Sequence, residues 1–532
     1  MVLKKQEIDG IVFLSIEVDK SLKMTQTQSR TKNTTRNIFF GIINKIIVLL
    51  LPFVVRTIII YKLGAEYVGL NSLFVSILQV LSVAELGFAS AISFSLYGPV
   101  SRNETGKIIQ LVTLLKTIYF IVGCAITVVG LSLMPFIKFF IKDSPPDSVN
   151  VYILYVVYLA NTVISYFVFG YKNSILNAFQ RYDVISKINS VVEIIKGAFS
   201  ISVLLLFKNY YVYVALLPAF TLLSNLLTGF VTNKMYPELR VPHKMSLSGA
   251  KDIKKQLGGI AIGRISLVCR NSFDSIIIST LLGLTITAIY ANYYIIFSSI
   301  TAFFGILLTS MAASVGNSLV TEPIEKNEKD HIKFDFYYMF LISACTICLF
   351  GLYQPFMEVW THGELLFPYF TMTLFCVYFY FTALAQVRSV YSEAAGLWWH
   401  FRYFAIGEMV ANLGLNILLG YFWGVNGILL ATIITSFVSS FICITIVTYK
   451  KLFKMSPAKY YLNNAIYLLI VVVICLGVHF AISFVHLEGW AMLFASGGIS
   501  LGACLVLLVI YLIKKDTRQY IFEFKKFIRR GK

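Results

Sequence analysis

Charge is what this chain lacks. Only 13% of its 532 residues are Asp, Glu, Lys or Arg, about half the share usual in a soluble globular protein. No polar stretch is long enough to fold as a water-soluble domain of ordinary size, which excludes a tethered catalytic domain and a large extracellular head. Acids are scarcer than bases, 26 against 45. Such an excess suits nucleic acid when it coats a soluble surface. Here Lys and Arg sit in short segments between apolar runs, so no nucleic-acid partner is expected. The six histidines form no zinc cluster and no G-x-S-x-G nucleophile elbow is present, so neither a metal, a cofactor nor an enzyme activity is expected. All eight cysteines lie inside apolar runs and read as packing residues. Cys345 and Cys348 have C-x-x-C spacing but no second pair or His beside them.

What fills the chain is apolar: 58% hydrophobic residues, 15% aromatic. Runs of about 20 such residues cross the hydrocarbon of a bilayer. They lie near 38–60, 67–97, 108–137, 151–171, 188–207, 210–232, 257–282, 286–318, 334–355, 366–387, 403–422, 425–449, 461–485 and 490–513. The expected fold is an all-α polytopic membrane protein of about fourteen transmembrane helices. With that count, one set of alternate connecting segments carries 35 Lys and Arg. The other carries four, Lys62, Lys138, Lys142 and Lys208. Cytoplasmic loops hold the basic excess, which places both termini in the cytoplasm. No cleavable signal peptide is expected, because the first apolar run begins near Ile38 and is too long for a signal core. Residues 1–23 have no assigned role; either Met24 is the more natural start or they form a disordered cytoplasmic tail.

A repeat runs through the chain. Leu63-Gly64 after the first span superposes on Leu282-Gly283 after the seventh, an offset of 219 that also brings Lys45 onto Arg264. Val231 to Lys234 matches Val447 to Lys450 at an offset of 216. Two six-span halves of one topology follow, with spans thirteen and fourteen appended. The expected divisions are a cytoplasmic tail at 1–36, an N-terminal six-helix bundle at 37–232, a cytoplasmic linker at 233–256, a C-terminal bundle at 257–452, and helices 13–14 with a basic tail at 453–532. Repeats of this kind place a transporter's substrate site between the halves.

Six cations fall inside spans: Lys45, Arg56, Lys116, Lys196, Arg264 and Arg270. An ionisable group at bilayer depth costs at least about 2.5–3.5 kcal/mol and usually faces a cavity or a partner. At 100° per residue, Gly41, Lys45, Pro52 and Arg56 fall within about 60° of one another, and Arg264, Arg270, Asn271 and Asp274 within about 120°. One reading makes Lys45, Arg56, Arg264 and Arg270 an anion site, since guanidinium and ammonium groups recognise phosphate. The other has Arg56 snorkelling, Arg270 paired with Asp274, and Lys45 and Arg264 reaching the inner surface. Lys196 pairs locally with Glu193. Among the acids, Glu85 shares a side of span two with Asn71 and Ser82, and Glu408 shares a face of span eleven with Asn412. Each carboxylate either titrates during transport or locks helix packing. Glu393 and Asp274 are candidate partners for Arg388 and Arg270. The glycines of GGIAIGRI, from Gly258, lack the Lys and Ser/Thr of a phosphate loop and read as helix-packing residues.

The stretch from Arg36 to Pro99, RNIFFGIINKIIVLLLPFVVRTIIIYKLGAEYVGLNSLF and onward, resembles the opening of bacterial polysaccharide flippases, relatives of the multidrug extruders and the lipid II flippase. Tyr391 to Thr435, with Glu408 and Asn412 on span eleven and a Gly-x-x-Gly entry to span twelve, is similar to the same family. The resemblance implies a pair of six-helix bundles in a bacterial cell membrane, working by alternating access. The implied cargo is an oligosaccharide repeat unit on undecaprenyl diphosphate, moved to the outer leaflet. A proton or sodium gradient is the implied drive, with Glu85, Asp274 and Glu408 as candidate sites. Spans thirteen and fourteen are expected to form a groove for the lipid tail, and membrane lipids and polysaccharide-assembly proteins are the other expected partners. The rival readings are a multidrug extruder of cations, a polysaccharide polymerase or glycosyltransferase, and a non-transporting scaffold.

Overall fold

In the computed structural model, residues 2–8, 11–17, 30–83, 92, 95–239 and 250–513 are described. Helices dominate because a backbone in hydrocarbon must satisfy its own hydrogen bonds. The N-terminal half comprises α1 (Arg30–Lys62), α2 (Ala65–Leu81), α3 (Thr105–Leu133), α4 (Val151–Phe167), α5 (Lys172–Ala178), α6 (Tyr182–Leu206) and α7 (Tyr210–Met235). The C-terminal half comprises α8 (Ala250–Leu282), α9 (Leu284–Thr321), α10 (Ile324–Thr361), α11 (Tyr369–Ala394) and α12 (Trp398–Ser436), the last continuing through π-helical turns to Phe453. α13 (Ala458–Ser483) and α14 (Gly489–Ile513) follow. Before α1, Val2–Ile8 and Ile11–Glu17 pair as an antiparallel hairpin, Val2 opposite Glu17.

Eleven of these helices are long and apolar enough to cross a membrane, twelve if the bent pair α4–α5 counts as one span. Trp399–Phe453 is a single run of 55 residues, but Gly424 breaks it with φ 57° and ψ −137°, so it crosses twice. The shorter apolar α2 supplies the remaining crossing. The chain is thus a multi-pass membrane protein with about fourteen crossings. Two boundaries differ from expectation: α1 begins at Arg30, inside the expected 1–36 tail, and α8 begins at Ala250, inside the expected 233–256 linker. Hydropathy registers only the part of a helix in hydrocarbon, whereas the i to i−4 ladder continues into water wherever the sequence tolerates it.

Each half has its own core. Leu70, Leu73, Phe74, Leu115, Leu154 and Tyr155 anchor the first; Ile342, Phe375, Phe379 and Ile428 anchor the second, which also takes in Val471, Val478 and Leu507 of the appended helices. The repeat is visible in the backbone. Gly64 and Gly283, the matched glycines, both open a helix with positive φ, 119° and 97°, at near-identical ψ of 162° and 174°, a region that L side chains rarely enter. The packing repeats too: α1 lies on α6 and α8 lies on α12, the first span of each half against the fifth.

We call the end of the molecule where α1 and α8 finish the distal end, and the opposite one the terminal end. Asparagines start two helices from distal loops. Asn150 Oδ1 accepts from the amides of Tyr152 and Ile153 at 3.0 and 3.4 Å. Asn209 Oδ1 does the same for Tyr211 and Val212 at 2.9 and 3.3 Å, so otherwise orphaned N–H groups are met.

Candidate functional site

The halves meet along a seam that runs from the distal end to mid-depth. There α2 crosses α9 so closely that a Cβ on Gly69 would lie 2.2 Å from the Leu284 carbonyl oxygen. Arg56 of α1 spans the seam: Nη1 donates to the Ala291 carbonyl at 2.9 Å and Nη2 to Ser72 Oγ at 3.2 Å. Trp360 Nε1 donates to Thr57 Oγ1 at 2.8 Å, and its indole stacks on Phe53 at 4.2 Å. Ser279 Oγ donates to the Phe140 carbonyl at 2.7 Å, and Ser272 Oγ to Gln79 Oε1 at 3.3 Å. Arg56 therefore does not snorkel; it is half-buried and uses neutral oxygens on two other helices.

Nearer the terminal end, the repeat-related Lys45 and Arg264 are both exposed, on the first helix of each half. The α1 turn that carries Lys45 is held by its neighbour: Asn44 is buried and its Nδ2 donates to Ser190 Oγ at 3.1 Å. Arg264 lies within the field of Glu393. Gly263 has no neighbour within 4 Å of a built Cβ, so it borders open space and is not the packing glycine expected of it.

The expected arc on α8 divides. Arg264 faces solvent, while Arg270 and Asp274 turn into the C-terminal bundle and bind different partners. Arg270 Nη1 meets Glu408 Oε1 at 2.5 Å and Ser436 Oγ at 3.2 Å; both charged side chains are about a tenth exposed or less. The Arg270–Asp274 pairing expected from i,i+4 spacing is replaced by this pair between α8 and α12, because α12 packs along the whole face of α8. Asp274 is fully buried. Its Oδ1 accepts from Asn416 Nδ2 at 2.7 Å and Thr432 Oγ1 at 3.0 Å, and its Oδ2 from the Tyr290 hydroxyl at 2.9 Å. Asn412 Nδ2 donates to Thr432 Oγ1 at 2.9 Å, and Asn416 Nδ2 also reaches Asn412 Oδ1 at 3.3 Å. Asn416 Oδ1 is buried without a partner.

Chemically this is a cage of oxygen-bearing groups around one carboxylate, closed from water. A 180° turn of the Asn416 amide would aim Oδ1 at the same point as Asp274 Oδ1 and Thr432 Oγ1. One negative charge among neutral oxygens matches a single positive charge and not a divalent ion, which prefers several carboxylates. Among the described residues no group of three or more His, Cys, Asp or Glu could hold a metal. Asn416, Thr432 and Tyr290 were missed in the sequence. Glu408, Asn412 and Asn416 recur every four residues on one apolar span, and that spacing was the available signal.

The remaining candidates separate. Glu85 lies outside the described residues. Asn71, its expected neighbour, accepts from the Tyr158 hydroxyl at 2.8 Å. Lys196 pairs with Glu193 at 2.5 Å, as their spacing predicts. Arg388 does not pair with Glu393: its Nη1 donates to Thr445 Oγ1 and, at 3.4 Å, to the Phe441 carbonyl. A cluster absent from the sequence reading sits where α6 begins. Asp183, 1% exposed, receives Arg36 at 3.2 Å, Arg181 at 3.0 Å and Lys187 at 3.5 Å. The eight cysteines are free; Cys348 and Cys504 bring their sulfurs to 3.7 Å between α10 and α14.

Between α11 and α13, an apolar groove holds a cavity of about 290 Å³ lined by Phe350, Val377, Phe381, Leu468, Val472 and Leu476 among others.

The fold is that of solved transporters. A lipid II flippase, MurJ, in an inward closed conformation superposes with a TM-score of 0.61 at 14% identity, covering 91% of this chain and 100% of that one. An outward-facing multidrug resistance MATE transporter of the MOP superfamily gives 0.55 at 16%, over 78% of this chain and 94% of that one. A MOP superfamily transporter from Pyrococcus furiosus, described as having a binding pocket of reverse polarity, gives 0.51 at 13%, over 77% and 93%. No curated protein matches the sequence. The sequence profile described as "Polysaccharide biosynthesis protein" matches residues 34–315, more than half of the chain, and the chain belongs to that family.

Proposed function

We propose that the protein is a flippase that moves oligosaccharides linked to a polyprenyl diphosphate from the cytoplasmic to the outer leaflet by alternating access. The observation that carries this reading is the exposed, repeat-related pair Lys45 and Arg264 on the first helix of each half, in a chain of the polysaccharide biosynthesis family. Exposed cations on the first helix of each half suit a diphosphate, which each half would grip from one side. With both termini in the cytoplasm, the distal seam is the outer gate and the cargo enters from the terminal end, where the lipid-linked precursor is made. The groove between α11 and α13 suits the polyprenyl tail, which stays in an apolar phase while the headgroup crosses.

For Arg56 and Arg270 the roles divide. Arg56 holds the outer seam and reaches the headgroup only after that seam opens; Arg270 is committed to Glu408 and orders α12 against α8. The Asp274 cage is the coupling site, taking a sodium ion or a proton in exchange for cargo movement. Asp274 and Glu408, acids that a cation extruder would need open to its cargo, are instead enclosed and partnered.

The test is binding to protein in nanodiscs, comparing a short-chain polyprenyl diphosphate sugar with a lipophilic organic cation at low and high salt. The expected result is saturable, salt-sensitive binding of the diphosphate, weakened in Arg264→Ala. Binding of the cation alone overturns the reading.

A further inference from the structure

We propose that Asp335, His331 and Arg388 form a second polar site, at the seam between the C-terminal bundle and the appended α13, which holds water and binds one exchangeable proton drawn from solvent at the terminal end. His331 and Asp335 lie one turn apart on one face of α10 and are 0% and 7% exposed. Arg388, on α11, is 1% exposed. It acts through space on both of them, and no ion pair joins it to Asp335 among the described residues.

Two opposite charges this deep would ordinarily close on each other, because a buried charge without a contact partner is costly. Here the Arg388 Nη1 is taken by Thr445 and the Phe441 carbonyl, and its Nε has no partner. Both ring nitrogens of His331 are also unpartnered, as are the hydroxyls of Tyr380 and Tyr460 and the Asn464 side-chain oxygen. A cavity of about 340 Å³ touches Tyr380 and Asn464 of this group, its other walls being mostly apolar, with Phe437, Phe441 and Leu468 among them. Each buried orphan would cost about 1–3 kcal/mol if dry, and unpartnered donors and acceptors gathered in one region are what buried water satisfies.

Water makes the site titratable. Among the described residues the other ionisable groups facing it are tyrosines: Tyr380 and Tyr391 on α11, Tyr449 at the end of α12, Tyr460 and Tyr461 on α13, and Tyr511 on α14. Glu328 and Asp330, on the first turns of α10, act on Tyr449 and Tyr391 from the side nearer solvent. Tyrosines ionise near pH 10, which leaves Asp335 and His331 as the proton acceptors. His331 stacks on Phe453 at 5.2 Å and 9°, with Tyr391, Tyr449 and Tyr460 around it. The ring is thereby fixed in place while both nitrogens stay available to water. The proton passes from solvent through this water to an Asp335 oxygen; no other bond is made or broken.

The site is separate from the Asp274 cage and does not depend on the transport reading. The experiment is a pH titration of the protein in nanodiscs without cargo or gradient. Infrared difference spectroscopy follows the carboxylic acid band, and an indicator dye follows proton uptake. The expected result is a titrating band that survives Asp274→Asn and vanishes in Asp335→Asn, with roughly one proton fewer taken up per chain. Asp335→Glu restores the band, and His331→Phe, which keeps the stacking, moves its midpoint. A wild-type titration in Asp335→Asn, or an unmoved midpoint in His331→Phe, overturns the proposal.

Discussion

The two halves share a topology but hold the ionisable groups at mid-span differently. In the C-terminal half, Asp274, Arg270 and Glu408 are enclosed, and every one is met by a side chain from a neighbouring helix. In the N-terminal half, Arg56 leans on a backbone carbonyl and a serine, Lys45 is exposed, and Lys196 and Glu193 pair with each other at a quarter exposed. A duplicated framework has thus come to carry an enclosed charge network in its second half, while the matched first helices of both halves keep an exposed cation, Lys45 and Arg264.

The contrast is broken most severely at Glu408. Glu408→Ala leaves Arg270 buried without its anion, and the expected loss is about 3–5 kcal/mol of stability, read as a fall in melting temperature in detergent. Glu193→Ala, its counterpart in the other half, should cost no more than about 0.5 kcal/mol, because that pair is local and partly solvated. Equal losses would show that the two halves bear charge alike. Asp274→Asn tests the cage: cargo movement in vesicles should lose its response to an imposed sodium or proton gradient, while the fold survives the near-isosteric change. A variant that still responds to both gradients removes Asp274 from the coupling role.

Two smaller effects sharpen the view of the seam. Gly69→Ala drives a methyl into the Leu284 carbonyl, an overpacking cost of about 1–3 kcal/mol that falls on the closed seam. Cysteine pairs placed across α2 and α9 should then crosslink more slowly than in the parent. Asn209→Ala removes the cap of α7 far from either site and should cost about 1 kcal/mol without altering binding of the diphosphate. An altered affinity there would mean that the distal loops of the N-terminal bundle bear on the cargo site.

Much of the architecture was legible in the sequence because one solvent imposes it. Hydrocarbon demands runs of fixed length, which gave the fourteen crossings, and the short α2 and the kink at Gly424 were crossed correctly by hydropathy alone. The Leu-Gly pairs at 63–64 and 282–283 marked the repeat because a positive φ at a helix start selects glycine at both places. The site was legible only in part. Asp274, Arg270, Glu408 and Asn412 stand out as polar residues in apolar spans, but periodicity assigns a face and not a neighbour. On α8 the i,i+4 rule joined Arg270 to Asp274; the bundle instead set Glu408 of α12 against the first and Asn416 with Thr432 against the second.

By itself, then, the chain's sequence determined that it crosses a membrane many times, roughly where each crossing lies, and which residues carry charge into it. Those are local properties, decided by transfer of each segment from water to lipid. Only the tertiary structure decided which charges are enclosed and which stay open, that Arg56 ties the two halves together, and that His331, Asp335 and Arg388 are buried without an ion pair between them. A buried charge is settled by the groups that surround it within a few ångströms, and these come from helices distant in the chain.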